Sequence, residues 1–597
     1  MPEYKAPLAD INFCLNEVLG FEQHYASLPG GEEFNAELVD AILEEGAKFC
    51  EQELSPLNSI GDEQGCRLED GNVFTPDGFK EAYATYCEGG WPSLSQDVEY
   101  GGQGLPESLG IVMTELMGTA NWSWTMYSGL SHGSMATLMA HGTEEQRQRF
   151  LPKLIEGVFT GTMCLTEANA GSDLALLSTK ATPNEDGTYS ITGSKIFISA
   201  GDHDMSENVL HIVLARLPDA PEGVKGISLF IVPKFHVSEN GEVQGRNSLS
   251  VGSLEHKMGI NGNATCVMNF DAASGYLVGP PNKGLRCMFT FMNNARLFIA
   301  QQGVCHAELS YQGALAYAKD RLQMRAPGQP AYPEKKADPI LCHPDVRRML
   351  LTQKAYAEGG RALTYLCAQQ VDISHHGDDD AKAIAEQRLA LLIPIAKGFL
   401  TEAGFEAANL GVQVFGGHGY IKEWGMEQIV RDARIAMLYE GTNGIQALDL
   451  LGRKIVSSEG SLLQGFVDEI QDFLKQVDST TTLTPLIEKL SQELHRWQEL
   501  SDGVIKNAAS DPTVIGAASF DYLLYSGHSV LAYLLLRSAI VAEGKLQQDT
   551  ENPFYQGKLD TARFYFDHIL PRNDGLASSI QAGPQSMMQI NLDALDR

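Results

Sequence analysis

Positive charge is scarce in this sequence. Its 597 residues carry 44 Lys and Arg against 76 Asp and Glu, which gives a formal net charge of -32. A surface of that sign repels phosphate backbones, so it argues against a nucleic-acid partner. An anionic ligand therefore needs a locally basic or N–H-rich pocket. The chain is also longer than one hydrophobic core usually organises, so several domains are expected.

Paired cysteines and long apolar runs are lacking too. The 10 cysteines include no C-x-x-C pair and no Cys/His cluster at zinc spacing, so reduced thiols and no metal site are expected. The N-terminus shows no signal-peptide pattern. The most apolar stretch, "YLLYSGHSVLAYLLLRSAIVAEG", is interrupted by Ser526, His528 and Arg537 and predicts a buried helix, because a membrane span needs roughly 20 clean apolar residues. These absences predict a cytoplasmic protein without an integral membrane segment.

The common nucleotide-binding signatures are missing as well. No G-x-G-x-x-G follows a strand and no G-x-x-x-x-G-K-[ST] occurs, which argues against a nicotinamide Rossmann site and a P-loop. One motif of another class is present. "GLSHG" fits the G-x-S-x-G nucleophile elbow of hydrolases, with Ser131 as the nucleophile. That elbow needs a strand before the serine, whereas both flanks here have helical periodicity, so a structural serine is favoured.

The periodicity along the chain predicts four domains. It is helical over residues 1–159, and it changes to short β-branched runs such as "GTYSITGSKIFISAG", "NVLHIVLARL" and "ATCVMNFD" over residues 160–283. Helices return over residues 284–459, and a further helical block fills residues 460–597. This order is not the strand–helix alternation of a Rossmann or TIM-barrel fold.

Three segments combine glycine with hydroxyl, aromatic or imidazole side chains. "MCLTEANAGSD" offers Thr166 and Ser172 as hydroxyl donors. In "GSKIFISAG" an alternating strand places Phe197 and Ser199 on one face, which suits a flat heteroaromatic ligand. "GVQVFGGHGY", with His418, exposes backbone N–H groups that suit a phosphate or sugar. Each segment also has an ordinary structural interpretation: a polar loop, a core strand, and a helix ended by glycine.

A single carboxylate stands at the junction in "MLYEGTNGIQ". The residues before Glu440 have helical periodicity, and "GTNG" predicts the stop of that helix. The residues alone allow two interpretations, a surface acid at a helix end or a base held against a reactive group.

Taken together, these segments and "KMGINGNATCVMNFD", "RLFIAQQGVCHAELSYQGALAYAKDR" and "EWGMEQIVRDARI" resemble the FAD-dependent acyl-CoA dehydrogenase family, in its order and approximate spacing. The resemblance runs from about residue 40 to about residue 454. It implies a mostly α fold with a small β domain: an N-terminal helical domain, a middle β domain and a C-terminal four-helix bundle, here followed by an additional C-terminal helical domain.

The same resemblance implies an activity and partners. The expected reaction is oxidation of an acyl-CoA thioester to the trans-2-enoyl-CoA, with FAD as hydride acceptor and an electron-transferring flavoprotein as electron acceptor. Because the family site is shared between subunits, a homodimer or dimer of dimers is implied. The long C-terminal block is similar to the subgroup that contains bacterial 3-methylmercaptopropionyl-CoA dehydrogenases. A general fatty acyl-CoA dehydrogenase of β-oxidation and an acyl-CoA oxidase are the alternatives.

Residue by residue, the resemblance makes Glu440 the catalytic base. It assigns FAD contacts to Leu165, Thr166, Ser172, Phe197, Ser199, Arg321, Gln413, Gly416, Gly417 and Thr442. Arg321 and the Gln413–Gly417 loop are expected to serve the FAD of a neighbouring subunit. Substrate contacts are assigned to Ser172, Arg296, Tyr439 and Gly441, and no metal is expected.

The sequence departs from the family pattern at several of these positions. Phe197 stands where the family usually has a flavin-stacking Trp, and Ser199 where it has a Thr that donates to flavin N5. Ala168 replaces a common Pro. Gln323 and Met324 depart from the usual pattern after Arg321, so their contact with FAD is less secure.

Overall fold

The computed structural model describes residues 2–31, 34–477 and 481–596 of the chain. These residues form two compact units, one from Ile42 to Phe298 and one that joins Met1–Ala41 to Ile299–Arg597. The first two predicted domains fall largely in the first unit and the last two in the second. The finer division into four domains stays a prediction.

Helices make up most of the chain outside residues 159–278. In chain order they are α1 Leu8–Asn12, α2 Phe21–Ser27, α3 Ala36–Phe49, α4 Leu57–Gln64, α5 Phe79–Glu88, α6 Glu107–Ala120, α7 Trp122–His141, α8 Glu144–Ile155, α9 Gly284–Asp320, α10 Pro344–His376, α11 Asp379–Phe415, α12 Met426–Arg434, α13 Asn443–Leu448, α14 Ser461–Lys475, α15 Thr484–Ala508, α16 Thr513–Leu546, α17 Pro553–Phe564, α18 Arg572–Gln581 and α19 Gln585–Met588. Short 3-10 and π turns extend or link several of them.

The strands follow the predicted β region closely. They are β1 Arg67–Glu69, β2 Asn72–Phe74, β3 Phe159–Cys164, β4 Lys180–Pro183, β5 Tyr189–Ser199, β6 Asn208–Arg216, β7 Ile227–Pro233, β8 Phe235–Val237, β9 Val243–Arg246, β10 Leu249–Leu254 and β11 Thr265–Val278. The strands predicted from "GTYSITGSKIFISAG", "NVLHIVLARL" and "ATCVMNFD" are therefore confirmed as β5, β6 and the start of β11.

The large sheet closes on itself. Its order is β10–β11–β5–β4–β6–β3, and β7 pairs with both β11 and β6. The strands β11, β5, β4, β6 and β7 therefore form a ring, with β10 and β3 paired outside it. The ring is filled by buried side chains of alternate residues, including Ile191, Val213, Phe230 and Met268, as expected where a closed sheet buries one face.

One element was not anticipated. β1 and β2 form a small hairpin inside the region predicted to be helical, so that prediction is wrong here. The hairpin turns at Asp70 and Gly71, which both have positive φ angles, 49° and 76°. An Asp-Gly pair favours this left-handed two-residue turn, and the local turn signal therefore overrides the helical pattern around it.

The second unit is mostly helical over its described residues, with an irregular loop between α9 and α10. Its helix α16 is the one helix within residues 2–31, 34–477 and 481–596 that is long and apolar enough to cross a membrane. However, 72% of its most apolar window is buried in the structure, where it packs against α10, α11, α15, α17 and α18. The prediction of a buried helix from "YLLYSGHSVLAYLLLRSAIVAEG" is confirmed.

Candidate active site

The ends of β3 and β5 bring four of the predicted flavin contacts together. Leu165 and Thr166 directly follow β3, and their carbonyl oxygens accept hydrogen bonds from β5. Lys195 Nζ donates to Leu165 O at 3.1 Å, and Ile196 N donates to Thr166 O at 2.9 Å. The two half-buried residues are therefore fixed beside the strand that carries Phe197 and Ser199.

A buried ion pair supports this arrangement. Lys195 Nζ lies 2.9 Å from Glu167 Oε1, and both side chains are almost fully buried. Glu167 also accepts hydrogen bonds from the backbone N–H and the hydroxyl of Ser178 and of Thr179, at 2.6–3.0 Å. Burial disfavours the carboxylate, but Lys195 and these donors outweigh it and lower the pKa of Glu167 to about 2. The pair is thus ionised at neutral pH and locks the loop after β3.

Phe197 does not sit on a regularly alternating strand. The pairing of β5 with β11 shifts between Cys266 and Met268, so Ile196 and Phe197 together oppose one residue. Phe197 has a φ of 59°, the left-handed conformation that a β-bulge imposes on one residue. The alternation of β5 is therefore interrupted before Ile198, while Phe197 and Ser199 both flank the buried Ile198, and their common face stays a prediction. The bulge leaves the Phe197 ring 59% exposed, which suits an aromatic that stacks on a ligand better than a core residue.

Ser199 ends β5, and the backbone around it is held from three sides. Thr162 Oγ1 donates to Ser199 O at 2.6 Å, and Ala200 N donates to Ala264 O at 2.7 Å. His211 Nε2 lies within hydrogen-bond distance of Gly201 O, at 2.8 Å. Thr162 on β3 and His211 on β6 are cross-strand partners. Neighbouring side chains of the sheet thus position the segment that presents the Ser199 hydroxyl.

The two remaining predicted contacts in this unit belong to other elements. Ser172 is exposed in the loop after the Glu167–Ala170 turn. Arg296 lies within α9 and is only 7% exposed. The contacts of Ser172 and Arg296 with FAD or substrate stay predictions.

In the second unit, Glu440 follows α12 and a short 3-10 turn, Ile435–Met437. It has a φ of 55°, and Gly441 has a φ of 87°. Two successive left-handed residues end the helix, as "GTNG" predicts, and turn the chain sharply. Thr442 then begins α13, where its hydroxyl accepts a hydrogen bond from Ile445 N at 3.2 Å. In the structure Thr442 is therefore a helix cap, and its contact with FAD stays a prediction.

A buried lysine that the sequence reasoning missed holds this loop. Lys397 of α11 donates to Gly441 O at 2.7 Å and to Asn443 Oδ1 at 3.0 Å. Gln446 Nε2 donates to Glu440 O at 3.4 Å. The only signal in the sequence is a lysine inside the apolar run "LLIPIAKGFL". A buried lysine must be paired or hydrogen-bonded, and here it fixes the residue after the candidate base.

Tyr439 lies on the other side of Glu440. Its hydroxyl donates to Gln302 Oε1 of α9 at 2.5 Å, and Gln302 Nε2 donates to Asp432 O at 3.1 Å. The residues that flank Glu440 are thus both tied to the long helices of the bundle.

The predicted contacts of a neighbouring subunit's FAD are exposed at one end of the same unit. Arg321, Gln413, Gly416 and Gly417 are all exposed. Tyr317, one helical turn before Arg321, stacks on Phe415 with ring centroids 4.1 Å apart. Its hydroxyl is hydrogen-bonded to His418 Nδ1 at 2.9 Å. Because Tyr317 joins the end of α9 to the end of α11, the structure brings these four residues to the same end of the bundle.

Gln323 and Met324 lie in the exposed loop after Arg321. Asp338 organises this loop by accepting hydrogen bonds from Ala326 N at 2.9 Å and Tyr332 N at 2.8 Å. The hydrogen bond from Ala326, with those from the rest of the loop, lowers the pKa of Asp338. The carboxylate is therefore the form that shapes the loop.

Ser131 is a structural residue. It lies inside α7, where its hydroxyl donates to Tyr127 O and accepts from Gly161 N, both at 3.1 Å. A nucleophile elbow requires a strand before the serine, so the hydrolase interpretation is wrong.

These groups fit a flavin better than a metal ion. Among the described residues, no group of three or more His, Cys, Asp or Glu side chains could hold a metal. At the ends of β3 and β5, an exposed aromatic ring lies on the same short segment as the Ser199 hydroxyl, beside the anchored backbone of Leu165 and Thr166. A flat ring with polar edges matches this combination.

Comparison with known protein families matches nearly the whole chain. Residues 37–158, 162–273 and 282–455 match the N-terminal, middle and C-terminal domains of acyl-CoA dehydrogenases. Residues 466–591 match a domain described as acetyl-CoA dehydrogenase C-terminal like.

Full-length relatives carry related names. The chain is 42% identical to 3-methylmercaptopropionyl-CoA dehydrogenase of Ruegeria pomeroyi, over 99% of this chain and 100% of that protein. It is 33% identical to the broad-specificity linear acyl-CoA dehydrogenase FadE5 of Mycobacterium tuberculosis, over 99% of both chains. An acyl-CoA dehydrogenase of Bacillus anthracis, solved in complex with FAD, shares the fold with a TM-score of 0.73 at 20% identity, over 98% of this chain and 95% of that one.

Proposed function

The chain belongs to the acyl-CoA dehydrogenase family, whose cofactor is FAD, and from that premise we propose that Glu440 is the catalytic base and that the substrate carries a short thioether acyl chain. The observation that supports the base is local. Glu440 is a carboxylate in a left-handed turn whose neighbouring carbonyl is held by a buried lysine. The observation that supports the substrate is the 42% full-length identity to the Ruegeria pomeroyi enzyme.

Glu440 takes the proton from the α-carbon of the acyl thioester. That proton is too weakly acidic for a carboxylate in water, so the negative charge that develops on the thioester oxygen needs donors. The backbone N–H of Glu440 is one of them. Substrate binding removes water from around the carboxylate and raises its basicity toward the working pH. Gly441, fixed by Lys397, keeps the turn that aims the side chain.

FAD, when bound, accepts the hydride that leaves the β-carbon as the α-proton departs. On this chain, Phe197 would stack on the flavin ring, and the Ser199 hydroxyl would donate to it. Leu165 and Thr166 would contact its pyrimidine edge. Thr442 offers a hydroxyl hydrogen, since its oxygen already accepts the bond from Ile445 N.

A second copy of the chain is part of the proposal. Arg321, Gln413, Gly416 and Gly417 are exposed at one end of their unit, and they are proposed to contact the adenosine half and pyrophosphate of the FAD held by that copy. An electron-transferring flavoprotein would be the electron acceptor of the enzyme. An oxidase would instead pass the electrons to oxygen and produce peroxide.

The substitution Glu440→Gln tests the base. It keeps the size of the side chain and removes its basicity, so flavin reduction by acyl-CoA is expected to fall by about 10²–10⁴-fold, while bound FAD is retained. The matched control is Glu459→Gln. Glu459 also has a positive φ, 53°, and also precedes a left-handed glycine at a helix end. Near-normal reduction by the Glu440 variant would remove the assignment.

Anaerobic bleaching of the flavin tests the substrate. We expect 3-methylmercaptopropionyl-CoA to reduce the flavin with a higher kcat/KM than pentanoyl-CoA, its analogue with CH2 in place of sulfur. Equal values, or faster reduction by pentanoyl-CoA, would favour the second candidate, a straight-chain acyl-CoA dehydrogenase. That candidate is supported by the 33% identity to the broad-specificity linear enzyme. Peroxide formed in stoichiometric amounts under air would indicate an oxidase.

A further inference from the structure

An open cavity of about 450 Å³ lies in the second unit, lined by residues of α10, α11, α16 and α18. Its volume falls within the range of about 300–1,000 Å³ typical of small-molecule sites. Two of these helices, α16 and α18, belong to the segment that follows the three acyl-CoA dehydrogenase domains. We call it the extension cavity. None of the residues assigned above to FAD or acyl-CoA lines it.

Arg572, the one Lys or Arg among the described residues that line the cavity, is already engaged. Arg572 forms two hydrogen bonds of 2.9 Å with the carboxylate of Glu406, and it donates to the Tyr356 hydroxyl at 2.9 Å. Tyr356 in turn donates to Glu406 at 2.9 Å. An anionic ligand would have to displace Glu406 from this bidentate contact. The extension cavity therefore does not favour anions.

His528 is a buried group on the same wall that the proposed mechanism does not use. It is 5% exposed, and burial lowers its pKa to about 3, so the ring is neutral. The Tyr565 hydroxyl donates to His528 O at 3.0 Å. Because that hydroxyl has a single hydrogen, its oxygen accepts from His528 Nδ1 at 3.2 Å. The proton is therefore on Nδ1, and Nε2 is an acceptor.

Glu402 supplies a second acceptor. Its Oε1 accepts from Asn443 Nδ2 at 2.8 Å, which leaves Oε2 for another donor. The carboxylates of Glu402 and Glu406 against the one guanidinium of Arg572 give the wall one net negative charge. The rings of Tyr356 and Phe399 form part of the remaining surface.

We infer that the extension cavity is a second ligand site, for a small ammonium compound with an apolar or aromatic body. The ammonium group donates to Glu402 Oε2 and His528 Nε2, and it neutralises the net charge of the wall. The body packs on the aromatic rings, as cations and their substituents do. The inference does not depend on the role of Glu440.

A ligand in the extension cavity would affect the loop that contains Glu440. Glu402 is bonded to Asn443, which shares Lys397 with Gly441. An ammonium group at Oε2 draws charge away from Oε1, so it weakens the hydrogen bond from Asn443 and loosens the first turn of α13. This coupling, unlike the binding itself, rests on the proposed function. It predicts that the occupant lowers the rate of flavin reduction without changing the affinity for acyl-CoA.

The probe for the test is phenethylammonium, titrated into the FAD-loaded enzyme and followed by ligand-observed NMR or calorimetry. A dissociation constant of about 1 mM or below is expected for a fragment of this size. The uncharged analogue 2-phenylethanol and the anion phenylacetate are expected to bind at least about tenfold more weakly, since one charge-assisted contact is lost. Phenylacetate binding as tightly as phenethylammonium would overturn the assigned ligand class.

Two substitutions locate the site. Gly575 of α18 lines the cavity, and a Cβ there would meet nothing within 4 Å. Gly575→Leu should therefore fold and fill the space, abolishing binding, and Glu402→Gln should weaken it about tenfold. The control is Gly544→Leu, at an exposed helical glycine outside the cavity with equally open surroundings.

The possible results test the binding site and its link to the Glu440 loop separately. Binding to the unaltered and Gly544→Leu enzymes, but not to Gly575→Leu, supports the site. Absence of binding, or equal affinity for Gly575→Leu, overturns it. If the probe binds but leaves flavin reduction unchanged at saturation, the link to the Glu440 loop is overturned and the site itself is retained.

Discussion

The buried pair of Lys195 and Glu167 makes the loop after β3 sensitive to acid. The perturbation is Glu167→Gln, which keeps the shape of the side chain and removes its charge. In the unaltered chain the pKa of Glu167 is lowered from 4.5 to about 2. As the pH falls, the carboxylate is protonated in the unfolded chain before it is protonated in the folded chain. The stabilisation by this carboxylate is therefore fully present above about pH 5 and is lost as the pH falls toward 2.

The size of the effect follows from that shift. At about 1.4 kcal/mol for each tenfold change in affinity, a pKa lowered from 4.5 to about 2 corresponds to about 3 kcal/mol of stabilisation at pH 7. Removing one member of a buried pair costs a similar amount, about 3–5 kcal/mol, because the other charge is left without its partner. Glu167→Gln should therefore lower the free energy of unfolding by about 3 kcal/mol at pH 7.

Urea unfolding between pH 7 and pH 4, followed by circular dichroism, measures the free energy of unfolding and its dependence on pH. The difference in free energy of unfolding between the unaltered chain and Glu167→Gln should shrink by about 1 kcal/mol per pH unit near pH 4. The double substitution Lys195→Met with Glu167→Gln is the control, because it keeps the amide oxygen as an acceptor for Ser178 and Thr179. It removes both charges and should cost less than Glu167→Gln alone. A difference that stays constant from pH 7 to pH 4 would refute the reasoning.

Three further predictions concern residues that hold the candidate site without being assigned to ligand. Lys397→Met should slow flavin reduction by about tenfold or more with FAD still bound, because the donor that fixes the catalytic turn is lost; stopped-flow absorbance measures it. Thr162→Val leaves the Ser199 carbonyl without its hydroxyl donor, which should cost about 1–3 kcal/mol of stability and weaken FAD binding, as measured by titration of the apoprotein. Asp338→Asn should weaken FAD binding about tenfold, because the loop after α9 loses its organising carboxylate.

Each of these three predictions has a control variant or an outcome that would contradict it. Lys397→Arg tests whether any cation suffices at that position, and equal loss in both variants would point to packing rather than to the hydrogen bond. Thr162→Ser should restore FAD binding, and failure to do so would contradict the role of the hydroxyl. If Asp338→Asn changes the thermal stability of the whole enzyme but not its FAD affinity, the loop is structural only.

Local patterns predicted the elements of this fold well. β5, β6 and β11 were recognisable because β-branched residues between turn residues favour strands, and the stop at Gly441 because glycine tolerates a left-handed turn. The bulge at Phe197 was not recognisable. Its position depends on how β5 pairs with β11, and pairing register is a property of two segments, not one.

The supporting residues of the site were missed for the same reason. Lys195 and Glu167 are 28 residues apart, and Lys397 and Gly441 are 44 apart. Nothing in the spacing of either pair indicates contact. What the sequence does contain is Lys397 inside the apolar run "LLIPIAKGFL" and Lys195 directly before the apolar "IFI". A lysine in that setting is expensive to bury without a partner, so it predicts that an acceptor exists but not where it lies.

Backbone strain alone does not distinguish the candidate catalytic residues. Phe197 and Glu440 both occupy the left-handed region, at a cost of about 1 kcal/mol or more for a residue other than glycine. Glu459 does so too, at a plain helix end closed by backbone bonds from Glu459 N to Val456 O and from Gly460 N to Ile455 O. The difference lies in the support. Lys397 reaches across from α11 to hold the carbonyl of Gly441 beside Glu440, and Lys195, on the same strand as Phe197, holds the carbonyl of Leu165 on the adjoining segment. A buried lysine that holds a strained turn adds the cost of burying its charge to the cost of the strain. This arrangement is favourable only where the turn must point a particular side chain in one direction.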